Sequence, residues 1–340
     1  MSFLRAFAKR ALTTLVVLIG VSFLMFAIAR VIPGDPARIA LGPRATPEAV
    51  AMLQQKLHLD QPFLAQYGYF LRDLAHGDLG VSLYTNRPVM ADIVQFLPAT
   101  LELVFVSALM MILIGVPLGI LSARYRDTAF DHAMRVLTLF TVSLPSFVCA
   151  VILMLVFAYF FPIFPIAGQL SDSITVERVT GFLLIDTLLA GNLHALADVA
   201  WHIVLPAFAL ALSGIGQAAR LIRSNMVETY QKPYIEMAEA YGFPAGRIAN
   251  RYAFRPSLIP SLTIIGLDVA SMLGNAFLVE AVFAWPGLSR YGVSVILRKD
   301  LNAIVGTGLV IALMFLVVNL LVDLLVTVIN PRIRLSQRAS

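Results

Sequence analysis

Few residues in this 340-residue chain could do chemistry, and those few stand apart from one another. Asp268 and Asp323 each lie inside a long apolar run, where an ionisable group is costly and faces a cavity or a partner. Asn275 follows Asp268 by seven residues and so falls on roughly the same helix face, with Ser271 between them. That pattern fits a polar path through a membrane, and it fits a buried contact between helices equally well. Asp323, late in its run, leans towards the helix contact. Hydrolysis at that depth would need a nucleophile with a base, or paired acids, and neither aspartate has a recognised catalytic context. His202 is isolated in the sequence. No Gly-x-x-x-x-Gly-Lys-Ser/Thr phosphate loop occurs, so the chain is not an ATPase by that route. The single cysteine, Cys149, lies in an apolar run and reads as a packing residue, and no spacing suggests a metal site. We therefore expect no catalytic residue, no metal and no cofactor in this chain.

The elements that must position these residues are membrane spans. The chain is 59% hydrophobic and 13% charged, with a mean hydropathy of +0.84; soluble domains average roughly 25% charged residues. The net charge of +5 and pI near 9.5 belong to basic loops rather than to a nucleic-acid surface. At about 20 apolar residues per span, six candidates appear: Ala11–Ala29, Leu103–Ala123, Val136–Phe161 (interrupted by Pro145), Val199–Ala219, Pro256–Val279 and Leu301–Pro331. The first has a basic start at Arg5, Lys9 and Arg10, but its apolar part exceeds that of a signal peptide, so it reads as a retained anchor. Phe182–Leu189 is too short to span and reads as interfacial or as part of a loop.

Basic residues set the orientation. With a cytoplasmic N-terminus, the inner segments hold Arg5, Lys9, Arg10, Arg124, Arg126, Arg135, Arg220, Arg223, Lys232, Arg247, Arg251, Arg255, Arg332, Arg334 and Arg338, against few acids. Both termini are therefore expected in the cytoplasm. The long outer segment Val31–Thr100 carries a helix start at Thr46-Pro47-Glu48, with Val50, Leu53 and Leu57 at helical spacing. A second amphipathic stretch runs through Phe63, Tyr67, Phe70, Leu71 and Leu74 to a break at Gly77. Two short outer helices against the membrane surface are expected.

The inner insert Tyr234–Gly246 carries the most information. Its Glu, Met and Ala residues favour a helix, Pro233 can open it, and Gly242 with Pro244 stops it. A second helical stretch, Ala245–Phe254, places Arg247, Arg251 and Arg255 at i, i+4, i+8 before the chain returns to the bilayer. The pair could lie on anionic lipid. It could equally jut out to fit a groove on a soluble partner.

Here the residues resemble a family. Glu236-Met237-Ala238 followed by Gly242 is similar to the EAA loop of ABC-importer permeases. Phe254-Arg255-Pro256-Ser257-Leu258-Ile259-Pro260 is similar to a segment of the peptide and nickel importer subfamily. So are Ile32-Pro33-Gly34-Asp35-Pro36, Gly77-Asp78-Leu79-Gly80-Val81-Ser82, Pro98-Ala99-Thr100-Leu101-Glu102-Leu103 and Val279 to Gly287. Near the end, Asn319 to Asp323 and Asn330-Pro331-Arg332-Ile333-Arg334 match too. The likeness runs in order along nearly the whole chain. Departures are Met237 for an alanine, Pro256-Ser257 for Asn-Ala, Ser289 for glycine and Asp268 for an uncharged polar residue.

The resemblance implies an all-α membrane protein with the six-helix type I ABC-importer permease fold, in the bacterial inner membrane. Its parts would be an anchor at 1–31, a periplasmic segment at 32–98, a five-helix permease core at 99–331 containing a coupling loop at 223–257, and a tail at 332–340. It implies a second homologous permease subunit, two cytoplasmic ABC ATPases that hold the ATP and Mg, a periplasmic or lipid-anchored binding protein, and membrane lipid around the spans. Glu236, Met237, Ala238, Glu239, Ala240 and Gly242 would couple to the ATPases. Asp268, Ser271 and Asn275 are candidates for the path, and Glu280, Trp285, Pro286 and Gly287 for an outer gate or dock, though an interfacial Trp anchor is open as well. The cargo would be a dipeptide or short peptide, with glutathione or a nickel chelate as alternatives within the family. An ion-driven secondary transporter is the rival outside it, but internal repeats are not visible.

Overall fold

The computed structural model describes residues 3–31, 38, 41, 45–56 and 59–329. The motifs Ile32–Pro36 and Asn330–Arg334, Leu57 and the tail at 332–340 lie outside the described residues. Among the described residues every regular element is a helix, apart from one isolated bridge between Val81 and Pro88. In chain order the helices are α1 (Phe3–Val31), α2 (Pro47–Lys56), α3 (Phe63–Ala75), α4 (Val89–Arg124), α5 (Ala129–Ser143) and α6 (Ser146–Phe160). They continue as α7 (Leu183–Leu189), α8 (Leu193–Tyr230), α9 (Pro233–Ala240), α10 (Ala245–Val282), α11 (Leu288–Leu297) and α12 (Leu301–Ile329).

Among the described residues, four helices are long and apolar enough to cross a membrane: α4, α8, α10 and α12 over Leu301–Leu324. The bent pair α5–α6 brings the number to five when counted as one span. In α1 the apolar stretch among the described side chains is Leu12–Ile28. The run expected at Val136–Phe161, interrupted by Pro145, is broken at that proline. Its two halves meet at 103°. Pro145 has no amide hydrogen to donate back into α5, and it drives the preceding residue out of the helical region; Leu144 is extended, at φ −89°, ψ 129°.

At 38 residues each, α8 and α10 are about 57 Å long, against a hydrocarbon core of about 30 Å. Their ends therefore stand clear of the apolar layer and carry structure there. The expected boundary at 98/99 falls inside α4, which starts ten residues earlier and keeps Pro98 within it.

The core is built around α8, which packs against α4, α5, α6 and α10. Small residues allow the approach: a Cβ on Gly115 or Gly119 of α4 would lie 2.9 Å from Ile215 O or 2.7 Å from Ala219 O of α8. Close backbone contact of this kind replaces hydrophobic burial as the source of helix association in lipid. α12 packs on α10, α11 and α1.

The outer helices form where the sequence signals them. Thr46 accepts from the Ala49 amide (3.3 Å) and so caps α2. The aromatic face of α3, however, is turned onto α1: Phe63, Tyr67 and Phe70 lie within 6 Å of the Phe26 or Phe23 ring, and Ser22 Oγ is 2.8 Å from Tyr67 Oη. That face covers a helix rather than a membrane surface.

Candidate functional site

The insert folds as its punctuation dictates. Lys232 is extended, Pro233 opens α9 at its first turn, and Glu236 lies there too, where a negative charge suits the helix dipole. The far end closes by a double hydrogen bond, Phe243 N donating to Ala238 O (3.2 Å) and Gly242 N to Glu239 O (2.9 Å). This is a Schellman closure, and it needs a left-handed residue at Gly242, whose φ is +73°. The helix is anchored by Ile235 and Ala238, both buried against Ala123 of α4, Ile222 and Met226 of α8, and Ile248 and Ala253 of α10. Burying Ile235 alone contributes roughly 1.5–3 kcal/mol.

Of the six residues expected to couple, five are exposed: Glu236, Met237, Glu239, Ala240 and Gly242. Ala238 is instead the anchor. Two residues that the sequence reading missed belong to the same outward surface. Tyr234, Met237 and Tyr241 are 40, 57 and 76% exposed, and their i, i+3, i+7 spacing forms one apolar stripe of the kind that fills a groove. That spacing was visible in the sequence. What hid it was not knowing which side was already occupied. Arg247, Arg251 and Arg255 are all exposed as well. A π-helical stretch at Ile248–Ala253 interrupts their regular spacing. Just beyond it, at the Pro256-Ser257 departure, Ser257 Oγ donates to Ala253 O (2.5 Å).

The platform under α9 is held by one ion pair. Asp131 on α5 accepts from Arg223 Nη2 of α8 (2.6 Å), from Arg223 Nε, from Ser122 Oγ of α4 (2.6 Å) and from the Asp127 amide (3.1 Å). Three helices are thereby fixed at the end where α9 projects. Asn225 Nδ2 donates to Ser261 Oγ (2.8 Å) and ties α8 to α10 nearby.

Deeper in, the three path candidates meet one cleft of about 410 Å³. Asp268, Ser271 and Asn275 line it from α10, Ser213 and Gly214 from α8, and the α5–α6 bend from Ser143 to Phe147. The Pro145 break thus opens the space that the polar face of α10 looks into. Asp323 is half-buried on α12 and does not line the cleft.

At the opposite end the expected gate residues form an internal clasp. Glu280 and Trp285 are both 0% exposed, Gly287 is buried and Pro286 is half-buried, which leaves Trp285 no interfacial role. Glu280 accepts from Thr100 Oγ1 of α4 (2.5 Å) and from the Arg290 amide (2.8 Å). Trp285 Nε1 donates to Ala99 O (2.9 Å), and the Leu288 amide donates to Thr100 Oγ1 (2.8 Å). The Pro98–Leu103 and Val279–Gly287 motifs are therefore two halves of one contact. The Gly77–Ser82 motif makes another: Ser82 Oγ donates to Asp300 Oδ2 (2.6 Å), and Asn302 Nδ2 to Val81 O (3.1 Å). On the same side His202 is not isolated, as its Nδ1 lies 3.3 Å from an Asp198 carboxylate oxygen. Within α7, burial opposes ionisation of Asp186. Hydrogen bonds from Thr180 and Gly181 outweigh it, so its pKa is lowered.

Comparison with known proteins agrees with this architecture. Residues 115–335 match the family described as the inner membrane component of binding-protein-dependent transport systems, and residues 3–104 match the N-terminal region of such components. A probable D,D-dipeptide transport system permease protein, DdpB, of Escherichia coli (strain K12) is 41% identical over 334 residues, 98% of each chain. The dipeptide transport system permease protein DppB of Alkalihalophilus pseudofirmus is 38% identical over 97% of this chain and 99% of its own length. A di/tripeptide transport system permease protein, DppB, of Pseudomonas aeruginosa is 36% identical over 93% and 94%. With helices that cross a membrane and a matched family over most of its length, this chain belongs to the inner-membrane permease components of binding-protein-dependent transport systems.

Proposed function

We propose that the chain is one permease subunit of an ATP-driven importer of dipeptides or short peptides. In this reading α1 completes a set of six spans with both termini in the cytoplasm. A homologous permease subunit forms the other half of the pathway, two cytoplasmic ATPases drive it, and a binding protein delivers cargo from outside. The observation that carries the reading is α9: a helix anchored by Ile235 and Ala238 that leaves Tyr234, Met237 and Tyr241 exposed. An apolar stripe on a rigid, short helix at the basic end of the molecule suits a groove on a soluble partner better than a lipid surface, because Glu236 and Glu239 flank it. The cargo class rests on the peptide-transport relatives.

The cycle is then mechanical. Closure of the ATPases draws the α9 helices of the two permeases together. The rigid contact of α9 with α4, α8 and α10 passes that motion to the spans. The cleft opens outward, takes cargo, and opens inward after hydrolysis.

The test is Gly242→Asp. A side chain in the left-handed region costs about 1–2 kcal/mol, and it adds a charge where no protein atom lies near. The loss is local, so the variant is expected in the membrane at near-normal level. Peptide uptake by reconstituted vesicles should fall at least tenfold while ATP hydrolysis continues. Normal uptake by that variant would contradict the assignment.

A further inference from the structure

Among the described residues, nothing completes Asp268 at the cleft. Its Oδ2 is buried and accepts no hydrogen bond. The cleft brings no Lys, Arg or His to it, since the other lining residues are apolar or neutral. Two of the four serine hydroxyls that line the cleft are already used. Ser271 Oγ donates to the Asp268 backbone carbonyl (2.8 Å), and Ser143 Oγ donates to Leu139 O (2.7 Å). A carboxylate in the middle of a span with no counter-charge is costly. The bend at Pro145 keeps a space of ligand size open in front of it.

We infer that Asp268 receives the protonated amino terminus of the passing peptide, as a cargo-binding residue of the cleft. This inference rests on the peptide-importer reading above. An ammonium group supplies both the charge and the donors that the carboxylate lacks. A single contact of this kind at mid-span holds the cargo long enough for the pathway to switch, and it leaves side chains unread. The cleft would then select for a free amino group while tolerating varied peptides.

The experiment uses the complete importer in vesicles, with L-Ala-L-Ala as the probe. Asp268→Asn is expected to lower uptake at least tenfold, and Asp268→Glu, which restores the charge, to stay within threefold of the parent. The yield of assembled importer should be unchanged for both. Asp268→Asn uptake at the parental rate would overturn the inference and leave the importer reading standing. So would a fall in assembled importer that matches the fall in uptake, because the aspartate would then belong to a contact with the partner permease. If the parent importer itself takes up no L-Ala-L-Ala or other short peptide, the peptide reading fails and takes this inference with it.

Discussion

Replacing Arg223 by Met is expected to destabilise the permease by about 3–5 kcal/mol, the usual cost of stranding one partner of a buried pair. Asp131 is 0% exposed and Arg223 19%. Without the guanidinium the carboxylate keeps Ser122 and the Asp127 amide, and Arg135 Nε lies 3.7 Å away. That more distant arginine is 43% exposed and offers weak compensation at best. The loss falls where α4, α5 and α8 meet beneath α9, so coupling should suffer together with stability. The double variant Asp131→Asn with Arg223→Met removes both charges and should recover at least half of the loss, since neutral replacement of a buried pair is often tolerated. Thermal unfolding of the detergent-purified importer, read by fluorescence-detected size exclusion, gives all the comparisons. Equal melting temperatures for the parent and Arg223→Met would show the pair to be dispensable.

The pair also shows where sequence reading stops. Local punctuation was legible because it acts on the chain within a few residues. Pro233, Gly242 and Pro244 delimit α9 as expected, Thr46 caps α2, and Pro145 interrupts its run. Helix periodicity placed Asp268, Ser271 and Asn275 on one face, and they share one cleft. Tertiary pairing has no such local signal. Asp131 and Arg223 are 92 positions apart, and Ser82 and Asp300 are 218 apart; nothing in their neighbours' spacing points from one to the other. For the same reason Ala238 was read as part of a docking face. Periodicity gives a face, but only the packing of α4, α8 and α10 decides whether that face turns inward. The 103° bend is of this kind too, for proline marks the break while the neighbouring helices set its angle.

Gly287→Ala is expected to cost about 2–6 kcal/mol, combining overpacking of roughly 1–3 with a comparable cost for displaced buried hydrogen bonds. A Cβ at this position would run into the Glu280 carboxylate group. That carboxylate cannot swing aside freely, because Thr100 Oγ1 and the Arg290 amide hold its two oxygens from different elements. Moving it would disturb Thr100, which also accepts from the Leu288 amide and lies beside the carbonyl that binds Trp285. The methyl group therefore acts on the whole clasp between α4, α10 and α11. Glu280→Ala makes room but leaves the hydroxyl and the amide unpaired, so on its own it should also cost about 1–3 kcal/mol. If the clash is the cause, the two changes must be non-additive: Gly287→Ala should cost far less in the Glu280→Ala background than in the parent. A melting-temperature cycle on the four purified importers measures this directly. Additive losses would mean that the carboxylate and the glycine do not compete for the same space, and the clasp would lose its role in joining the two motifs.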